Sequence, residues 1–189
     1  MAPARSVLWR GTDPFSAELF RLETVGDGWN LQGVAIVAFA RGGAEVRYLV
    51  GVDERWRTRR ARVEVASTAL TASLDLFADG EGAWTIDGRA APELDGCIDL
   101  DLEVTPATNT LPIRRAGASA GDGRPFATRV AWVRFPELDV EAVDQTYERI
   151  DDRRWGFLSG DFHAELTVDD DGVVIDYGEL WTSVARDDV

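Results

Sequence analysis

Apolar and polar residues alternate along most of the chain, and a period of two residues is typical of β-strands with one buried face. The alternation is regular over residues 45–53 and 70–78. Short segments rich in glycine and aspartate lie between the alternating segments, at residues 26–28, 79–82 and 169–172. Repeated strand–turn–strand units predict an antiparallel meander. A period of 3.6 residues does not persist over any long segment, so few helices are expected.

Some segments predict more than a generic strand. Residues 29–40 are apolar on both faces from Val34 onward, which predicts a strand buried on both sides at the centre of the sheet. Residues 138–150 fit neither period well, and we favour a strand over a helix there. Residues 5–10 and 15–25 predict strands with one solvated face.

The most distinctive stretch is residues 94–115. Its first half, residues 97–105, alternates strictly, so one predicted face is apolar and the other carries charge. The apolar face holds Ile98, Leu100, Leu102 and Val104, and the opposite face holds Cys97, Asp99, Asp101 and Glu103. The proline that follows ends the strand because proline cannot donate to a sheet ladder. A single short helix is then expected, with Thr108 or Asn109 as its N-cap and its end near Ala116.

Carboxylates at alternate positions on one face repel one another and need neutralising partners. The available cations are arginines, and the sequence offers Arg59, Arg60, Arg114 and Arg115. A structural ion-pair network is the first interpretation. A site for a ligand head group is the second, because arginine and carboxylate side chains together bind sugar hydroxyls or phosphate. Arg59 alternates in phase with Ala61, so it is either partly buried with a carboxylate partner or solvated at the start of its strand.

Composition narrows the functional classes. The 189 residues carry a net charge of -14, which disfavours nucleic acid and anionic membrane surfaces as partners. Cys97 and His163 are the only cysteine and histidine, so neither a disulfide nor a classical zinc site is expected, and no cofactor is predicted. The longest apolar run is too short for stable membrane insertion. Residues 1–10 lack the apolar core of a secretion signal, so the expected compartment is the cytoplasm, and one domain is expected over residues 1–189.

Three short motifs have a chemical interpretation that their context disfavours. Residues 117–121 match the G-x-S-x-G pattern of hydrolases around Ser119, but the strand and helix that should flank the serine are missing from the pattern. Residues 169–172 lack the spacing of a calcium loop and are interpreted as a hairpin tip. His163 lies on the polar face of its predicted strand, which favours a surface position over a catalytic base. No catalytic residue is therefore predicted.

Several motifs together resemble a known bacterial family. They are Asn-Thr-Leu-Pro-Ile-Arg-Arg at residues 109–115, Trp56-x-Thr-Arg59, Gln145-x-Tyr147 and the hairpin at residues 168–177. With them, nearly the whole chain is similar to the bacterial "putative glycolipid-binding" family. This resemblance implies a spiral β-roll, in which a long antiparallel sheet winds around one helix, and a homodimer. The family label rests on likeness of fold to periplasmic and mycobacterial lipoprotein carriers, and fold alone does not determine function.

The sequence and the resemblance predict a mainly β fold, a long antiparallel sheet rolled around a single short helix. The predicted function is non-catalytic binding of a lipid or glycolipid, with the acyl part against the apolar interior of the roll. The candidate ligand-binding residues are Arg59, Arg114, Arg115, Asp99, Asp101, Trp56 and Asn109. Two alternatives stay open: an enzyme that acts on a small polar substrate through Asp99, Asp101 and the arginines, or a structural or regulatory dimer without a ligand.

Overall fold

The computed structural model of the protein describes residues 5–117, 120–121 and 123–187. Within these residues, fifteen strands form one sheet, which confirms the predicted mainly β fold. The strands are β1 (Arg5–Thr12), β2 (Phe15–Val25), β3 (Gly28–Phe39), β4 (Gly42–Val52), β5 (Thr58–Ala66), β6 (Thr71–Ala78), β7 (Trp84–Ile86), β8 (Arg89–Ala90), β9 (Asp99–Leu102), β10 (Phe126–Arg134), β11 (Asp139–Arg149), β12 (Arg154–Ser159), β13 (Phe162–Val168), β14 (Val174–Tyr177) and β15 (Trp181–Asp187). The helix α1 (Thr110–Ala116) follows a 3-10 turn at Ala107–Asn109, and another 3-10 turn spans Pro92–Leu94.

The order of the strands brings the first and last strands together inside the sheet. From one edge to the other, the order runs from β8 down to β1 and then from β15 down to β9. Strand β1 is antiparallel to both of its neighbours, β2 and β15. Everywhere else, strands that are neighbours in the sheet are also neighbours in the sequence, so most of the fold is the predicted meander.

Strand β9 is the exception to antiparallel pairing among the described residues, because it pairs in parallel with β10. Parallel neighbours need a long crossover connection, and here that connection contains α1. The alternation at residues 97–105 predicts a strand but says nothing about its direction. The strand is also shorter than predicted, since only Asp99–Leu102 join the ladder.

The sheet curls until the segment that leads into β9 contacts the opposite half of the sheet. The amide of Gly96 donates to the carbonyl of Gly82 at 2.9 Å, and the amide of Thr58 donates to the carbonyl of Ile98 at 3.2 Å. A Cβ atom added at Gly82 would lie 3.0 Å from the Cα atom of Gly96, so glycine permits this close approach of two backbones. These contacts place β9 beside the start of β5.

Helix α1 lies inside the curled sheet. Leu111 is fully buried in a large apolar cluster with inward-facing residues of strands from both halves of the sheet, such as Leu76 on β6 and Val133 on β10. Ile113 belongs to a second apolar cluster that includes Tyr147. The helix therefore packs against both clusters, which confirms the prediction of a long antiparallel sheet rolled around a short helix.

Strand β3 lies within the sheet as predicted, but the expectation that both of its faces are buried is wrong. Leu31 and Ala35 point inward and are fully buried, whereas Ile36 on the outer face is 52 % exposed. The sheet buries the face that turns toward the helix, and the described residues provide no second layer over this part of the outer face. An apolar outer position in the sequence cannot reveal whether such a layer exists.

Arg59 lies at a β-bulge, where the register between β4 and β5 shifts. Thr58 takes the inward position and is fully buried. The side chain of Arg59 is 44 % exposed and lies 3.7 Å from the carboxylate of Asp53. The expectation that Arg59 shares a face with Ala61 is wrong because a bulge offsets the alternation by one residue, and the solvated alternative describes Arg59 better.

Four further local predictions concern the N-cap of α1, residues 138–150, His163 and Ser119. The N-cap of α1 is Asn109 as predicted, but its side chain does not cap the helix. Its Oδ1 atom instead accepts a hydrogen bond from the hydroxyl of Tyr147 at 2.8 Å. Strand β11 confirms the strand favoured over a helix for residues 138–150, and His163 is exposed as expected. Ser119, the centre of the G-x-S-x-G motif, lies outside the described residues.

Candidate functional site

A cleft of about 340 Å³ opens beside β9, and we call it the aromatic cleft. Its polar lining residues are Asp101, Glu103, Thr105, Asn109, Gln145 and Ser159, and its other lining residues are Leu102, Trp132, Phe157, Phe162, Tyr177, Leu180 and Trp181. Small-molecule sites in proteins begin near about 300 Å³ and combine apolar walls with a few oriented polar groups. The cleft therefore has the size and the composition of a binding site.

Hydrogen bonds fix the polar groups at the base of the aromatic cleft. The hydroxyl of Thr108 donates to Oδ1 of Asp101 at 3.0 Å, and Nε2 of Gln145 reaches across β10 and donates to Oδ2 at 2.6 Å. The hydroxyl of Tyr147 lies 2.8 Å from Oδ1 of Asn109 and 3.1 Å from Oε1 of Gln145. Both amides therefore have a defined orientation, and the carboxylate of Asp101 keeps further lone pairs for a donor in the cleft.

The charge at the base of the cleft is not neutralised by a cation among the described residues. Burial raises the pKa of Asp101, and the hydrogen bonds that it accepts oppose that rise. Asp99, two residues earlier, differs because both Arg115 and Thr128 donate to its carboxylate. The lining of the aromatic cleft contains Asp101 and Glu103 but neither arginine nor histidine. Once the pH exceeds the raised pKa of Asp101, the cleft is therefore negative.

The aromatic wall is built from rings that pack edge to face. Phe157 lies 5.8 Å from Tyr177 at an angle of 89°, and Phe162 lies 6.1 Å from Phe157 and 6.2 Å from Tyr177. Edge-to-face packing is favourable for aromatic rings and holds each one in place. The wall is therefore a preformed surface.

A second concavity of about 300 Å³ adjoins the aromatic cleft, and we call it the apolar groove. It shares Glu103, Leu180 and Trp181 with the aromatic cleft. Its remaining lining residues are Asp13, Pro14, Ser16, Val37, Phe39, Val104 and Phe135. The two concavities therefore form a continuous surface. The aromatic cleft has polar groups at its base, and the apolar groove has mainly apolar walls.

A buried acid, Glu18, lies behind Thr105, which is a lining residue of the aromatic cleft. The hydroxyl of Tyr48 donates to Oε1 of the fully buried Glu18 at 2.5 Å and lies 3.4 Å from Oγ1 of Thr105. Oε2 of Glu18 has no hydrogen-bond partner among the described residues, and burial raises the pKa of Glu18 to about 7. A Cβ atom at Gly33 would lie 2.4 Å from the ring of Tyr48, so glycine leaves room for the ring.

The structure does not bring the seven candidate residues into one site. Asp101 and Asn109 line the aromatic cleft. Trp56 and Arg114 line a separate cleft beside the turn at residues 169–172, and the guanidinium of Arg114 lies 4.5 Å from the ring centroid of Trp56. Arg59, at its bulge, lines neither of these clefts.

Arg115 and Asp99 are engaged with each other. Nη1 of Arg115 pairs with the almost fully buried carboxylate of Asp99, and its Nη2 lies 3.0 Å from the hydroxyl of Thr128. The predicted ion-pair network between β9 and the arginines at the end of α1 is therefore present for Arg115. Arg114 differs because its Nη1 donates to the backbone carbonyl of Asp171.

Sequence reasoning missed most of the aromatic cleft. Gln145 is buried and holds Asp101, and Trp132, Phe157 and Tyr177 supply much of the wall. The available signal was the pair Gln145-x-Tyr147, which places two hydrogen-bonding side chains on one face of a strand. A buried glutamine needs partners, and the carboxylates of β9 can accept hydrogen bonds from its amide as well as from arginine.

In the described part of the chain, no group of three or more histidine, cysteine, aspartate or glutamate side chains could hold a metal ion. No helix among the same residues is long and apolar enough to cross a membrane.

Comparison with known proteins gives one family. A family model described as "Putative glycolipid-binding" matches residues 6–183, and no curated protein matches the chain. The chain is similar to a crystal structure of a DUF1089 family protein from Pseudomonas aeruginosa, with 33% identity over 92% of this chain and 94% of that one, and a TM-score of 0.81. A beta-barrel-like protein of DUF1849 from Brucella abortus matches at 11% identity over 98% of this chain and 97% of that one, with a TM-score of 0.61. The second likeness concerns the fold alone.

Proposed function

The chain belongs to the "putative glycolipid-binding" family, and from this membership we propose that it binds one amphipathic lipid or glycolipid without catalysing a reaction. The head group lies in the aromatic cleft and the acyl chain lies in the apolar groove. Because α1 and its neighbours occupy the interior of the roll, this proposal moves the acyl chain from the interior to the groove.

The observation that carries the proposal is the junction of the two concavities. Glu103, Leu180 and Trp181 line both, so one ligand can contact both at once. An amphipathic molecule needs adjoining polar and apolar surfaces, and concave apolar surface supplies most of the free energy of binding.

The rival interpretation, an enzyme that uses Asp99, Asp101 and the arginines, has less support. Asp99 is fully buried and engaged with Arg115 and Thr128, so it cannot touch a substrate without losing these partners. Asp101 lines the aromatic cleft, but the described lining residues of that cleft include no arginine. A pair of carboxylates and an arginine at one solvent-accessible point, as that chemistry requires, is therefore not assembled.

The acyl site is tested with the methyl ester of cis-parinaric acid, an uncharged fluorescent acyl chain. We expect saturable binding to the unmodified protein and a loss of roughly ten-fold or more in affinity for Leu180→Glu, because a carboxylate in an apolar site is costly to desolvate. Leu158→Glu is the matched control, since Leu158 is exposed and lines neither concavity. Absence of binding to the unmodified protein, or equal binding by both variants, contradicts the proposal.

We also propose that the chain forms a homodimer through an apolar patch on the outer face of the sheet, which consists of Leu8, Ala17, Leu19, Val34 and Ile36. Leu8 pairs with Leu19 and Leu19 pairs with Val34 across neighbouring strands, so their side chains adjoin. Leu8, Leu19 and Ile36 are all exposed. Contiguous exposed apolar surface of this kind marks interaction sites.

A further inference from the structure

Among the described residues, six hairpin turns lie at one end of the roll. Alternate turns of an antiparallel meander lie at the same end, and the pairing of Gly11 with Trp181 places the β14–β15 turn beside the β1–β2 turn. The amide of Thr12 also donates to the carbonyl of Leu180 at 3.0 Å, and its hydroxyl donates to the carbonyl of Glu179 at 2.7 Å. The turns that follow β1, β3, β5, β10, β12 and β14 therefore form one end of the molecule.

A large apolar side chain stands where a strand meets its turn in five of these six turns, and we call these five side chains the rim. They are Phe15, Phe39, Phe135, Phe162 and Leu180. Phe15 is 63 % exposed and Phe162 is 44 % exposed, and the other three are half-buried. The five hairpin turns at the opposite end contain mainly charged residues, and their aromatic residue, Trp56, is buried. Among the hairpin turns, exposed aromatic side chains therefore belong to one end of the roll.

The rim borders both concavities. Phe162 and Leu180 line the aromatic cleft, and Phe39, Phe135 and Leu180 line the apolar groove. Phe15 lines neither of them. In the proposed function, an amphipathic lipid enters and leaves through the openings of these concavities. A lipid surface that covers the rim would therefore exchange lipid with both concavities without passage through water.

We propose, on the basis of the proposed function, that the rim docks the protein on the surface of an electrically neutral lipid bilayer, with the aromatic cleft and the apolar groove facing the membrane. Exposed apolar side chains that cluster on a surface mark sites of interaction with proteins or membranes. At a membrane, the strength of peripheral binding grows with the apolar area that enters the boundary between head groups and acyl chains. Side chains on separate turns around two openings match a bilayer, because each can enter between lipids while other lipids reach the openings.

The charge of this end disfavours two other partners. The six turns hold four exposed acids and one exposed arginine, which are Asp13, Glu137, Asp161, Glu179 and Arg41. Arg134, the last residue of β10, does not offset these acids, because its guanidinium lies 3.5 Å from Glu141 and 3.8 Å from Asp139. An anionic membrane surface is therefore repelled, and two copies docked rim to rim would bring two sets of acids together. A neutral bilayer has no net charge that repels the acids.

Sedimentation with sucrose-loaded vesicles of phosphatidylcholine measures docking as a partition coefficient. We expect the unmodified protein to bind, and Phe15→Asp to bind roughly ten-fold more weakly, because an apolar contact is replaced by a charge that must stay hydrated. The matched control is Phe77→Asp, since Phe77 is 54 % exposed and lies on β6 near the end that is farther from the rim. If the unmodified protein does not bind, or if both variants lose affinity equally, the inference is overturned.

Ile36→Asp tests whether the apolar patch on the outer face of the sheet contacts the membrane in place of the rim. Ile36 is 52 % exposed and belongs to that patch. At concentrations where the chains are monomeric, we expect this variant to keep its affinity for the vesicles within roughly two-fold. A loss as large as that of Phe15→Asp overturns the inference. Self-association without lipid that Phe15→Asp abolishes and Ile36→Asp leaves intact also overturns it, because the rim would then join two copies of the chain.

The lipid composition of the vesicles tests the role of charge. When about a third of the phosphatidylcholine is replaced by phosphatidylglycerol, we expect binding at low ionic strength to weaken roughly three-fold or more and added salt to reverse this loss. Binding to phosphatidylcholine alone should change little with salt, because apolar contact is not screened. Binding that requires the anionic lipid and disappears in salt overturns the inference.

The methyl ester of cis-parinaric acid separates docking from ligand binding. Because Phe15 lines neither concavity, Phe15→Asp should keep its affinity for this soluble probe within roughly two-fold while it loses affinity for vesicles. If the unmodified protein binds the probe but not the vesicles, the inference fails and the proposed lipid site stands. If it binds the vesicles but not the probe, the rim is supported and the proposed lipid site fails. If it binds neither, both fail.

Discussion

The carboxyl group of Glu18 is fully buried, and only one of its oxygens has a hydrogen-bond partner among the described residues. Burial raises its pKa to about 7 from an ordinary value of 4.5, and the hydrogen bonds from Tyr48 and Thr105 oppose that rise. The folded protein therefore holds a proton between these two pH values that the unfolded chain has released. The free energy of unfolding then falls as the pH rises through this window, by about 3 kcal/mol in total.

Glu18→Gln removes the ionisable group and keeps its shape. We expect the free energy of unfolding of the variant to change much less between about pH 5 and pH 7 than that of the unmodified protein. Urea unfolding at a series of pH values measures the difference. Burial also raises the pKa values of Asp99 and Asp101, and their contribution has the same sign and remains in both proteins.

Glu179→Gln is the control for the pH series, because Glu179 is exposed near the start of β15. Its curve should follow that of the unmodified protein. If Glu18→Gln keeps the full pH dependence, then the burial of Glu18 is not its source.

The helix and its neighbouring strand are joined by one of two adjacent arginines. Arg115 pairs with the almost fully buried Asp99, whereas Arg114 contacts the ring of Trp56 and a backbone carbonyl. Arg115→Met leaves a buried carboxylate without its cation, so we expect a loss of about 3 kcal/mol of stability. Arg114→Met removes a cation–π contact and one hydrogen bond, so we expect a loss of about 1 kcal/mol.

Chemical denaturation of both variants measures these losses, and the double variant Arg115→Met, Asp99→Asn tests their origin. If the cost of Arg115→Met arises from the unpaired carboxylate, the double variant should recover part of the lost stability. Equal losses of stability in the two arginine variants would show that the ion pair of Arg115 with Asp99 is not the main contact that holds α1 against β9.

At the scale of elements, the sequence predicted those features that depend on local alternation. Each strand and the short helix can be predicted from the residues of its own segment. The ion pair of Arg115 with Asp99 joins two residues that lie close together in the sequence. The parallel direction of β9 and the bulge at Arg59 were not predictable, because register between strands is set by packing that alternation does not record. The aromatic cleft was missed for the same reason, since Gln145 reaches Asp101 across the intervening strand β10.

The whole molecule carries a strong negative charge and an exposed apolar patch, and these two features act in opposite directions on self-association. Each chain has a net charge of -14, so two chains repel each other at low ionic strength. The patch on the outer face of β1, β2 and β3 favours association through burial of apolar surface. Added salt screens the repulsion and leaves the apolar attraction, so we expect dimerisation to strengthen as the salt concentration rises.

Sedimentation velocity over a range of salt concentrations measures the mass of the particle against the chain mass of 20.8 kDa. We expect Ile36→Asp to remain monomeric where the unmodified protein is dimeric, because it places a carboxylate within the patch. Phe77→Asp is the matched control, since Phe77 is equally exposed but lies on β6, outside the patch. A dimer that persists in Ile36→Asp, or that dissociates equally in both variants, means that another surface joins the two chains. Weaker association at higher salt would instead indicate ion pairs between chains, since these are screened as well.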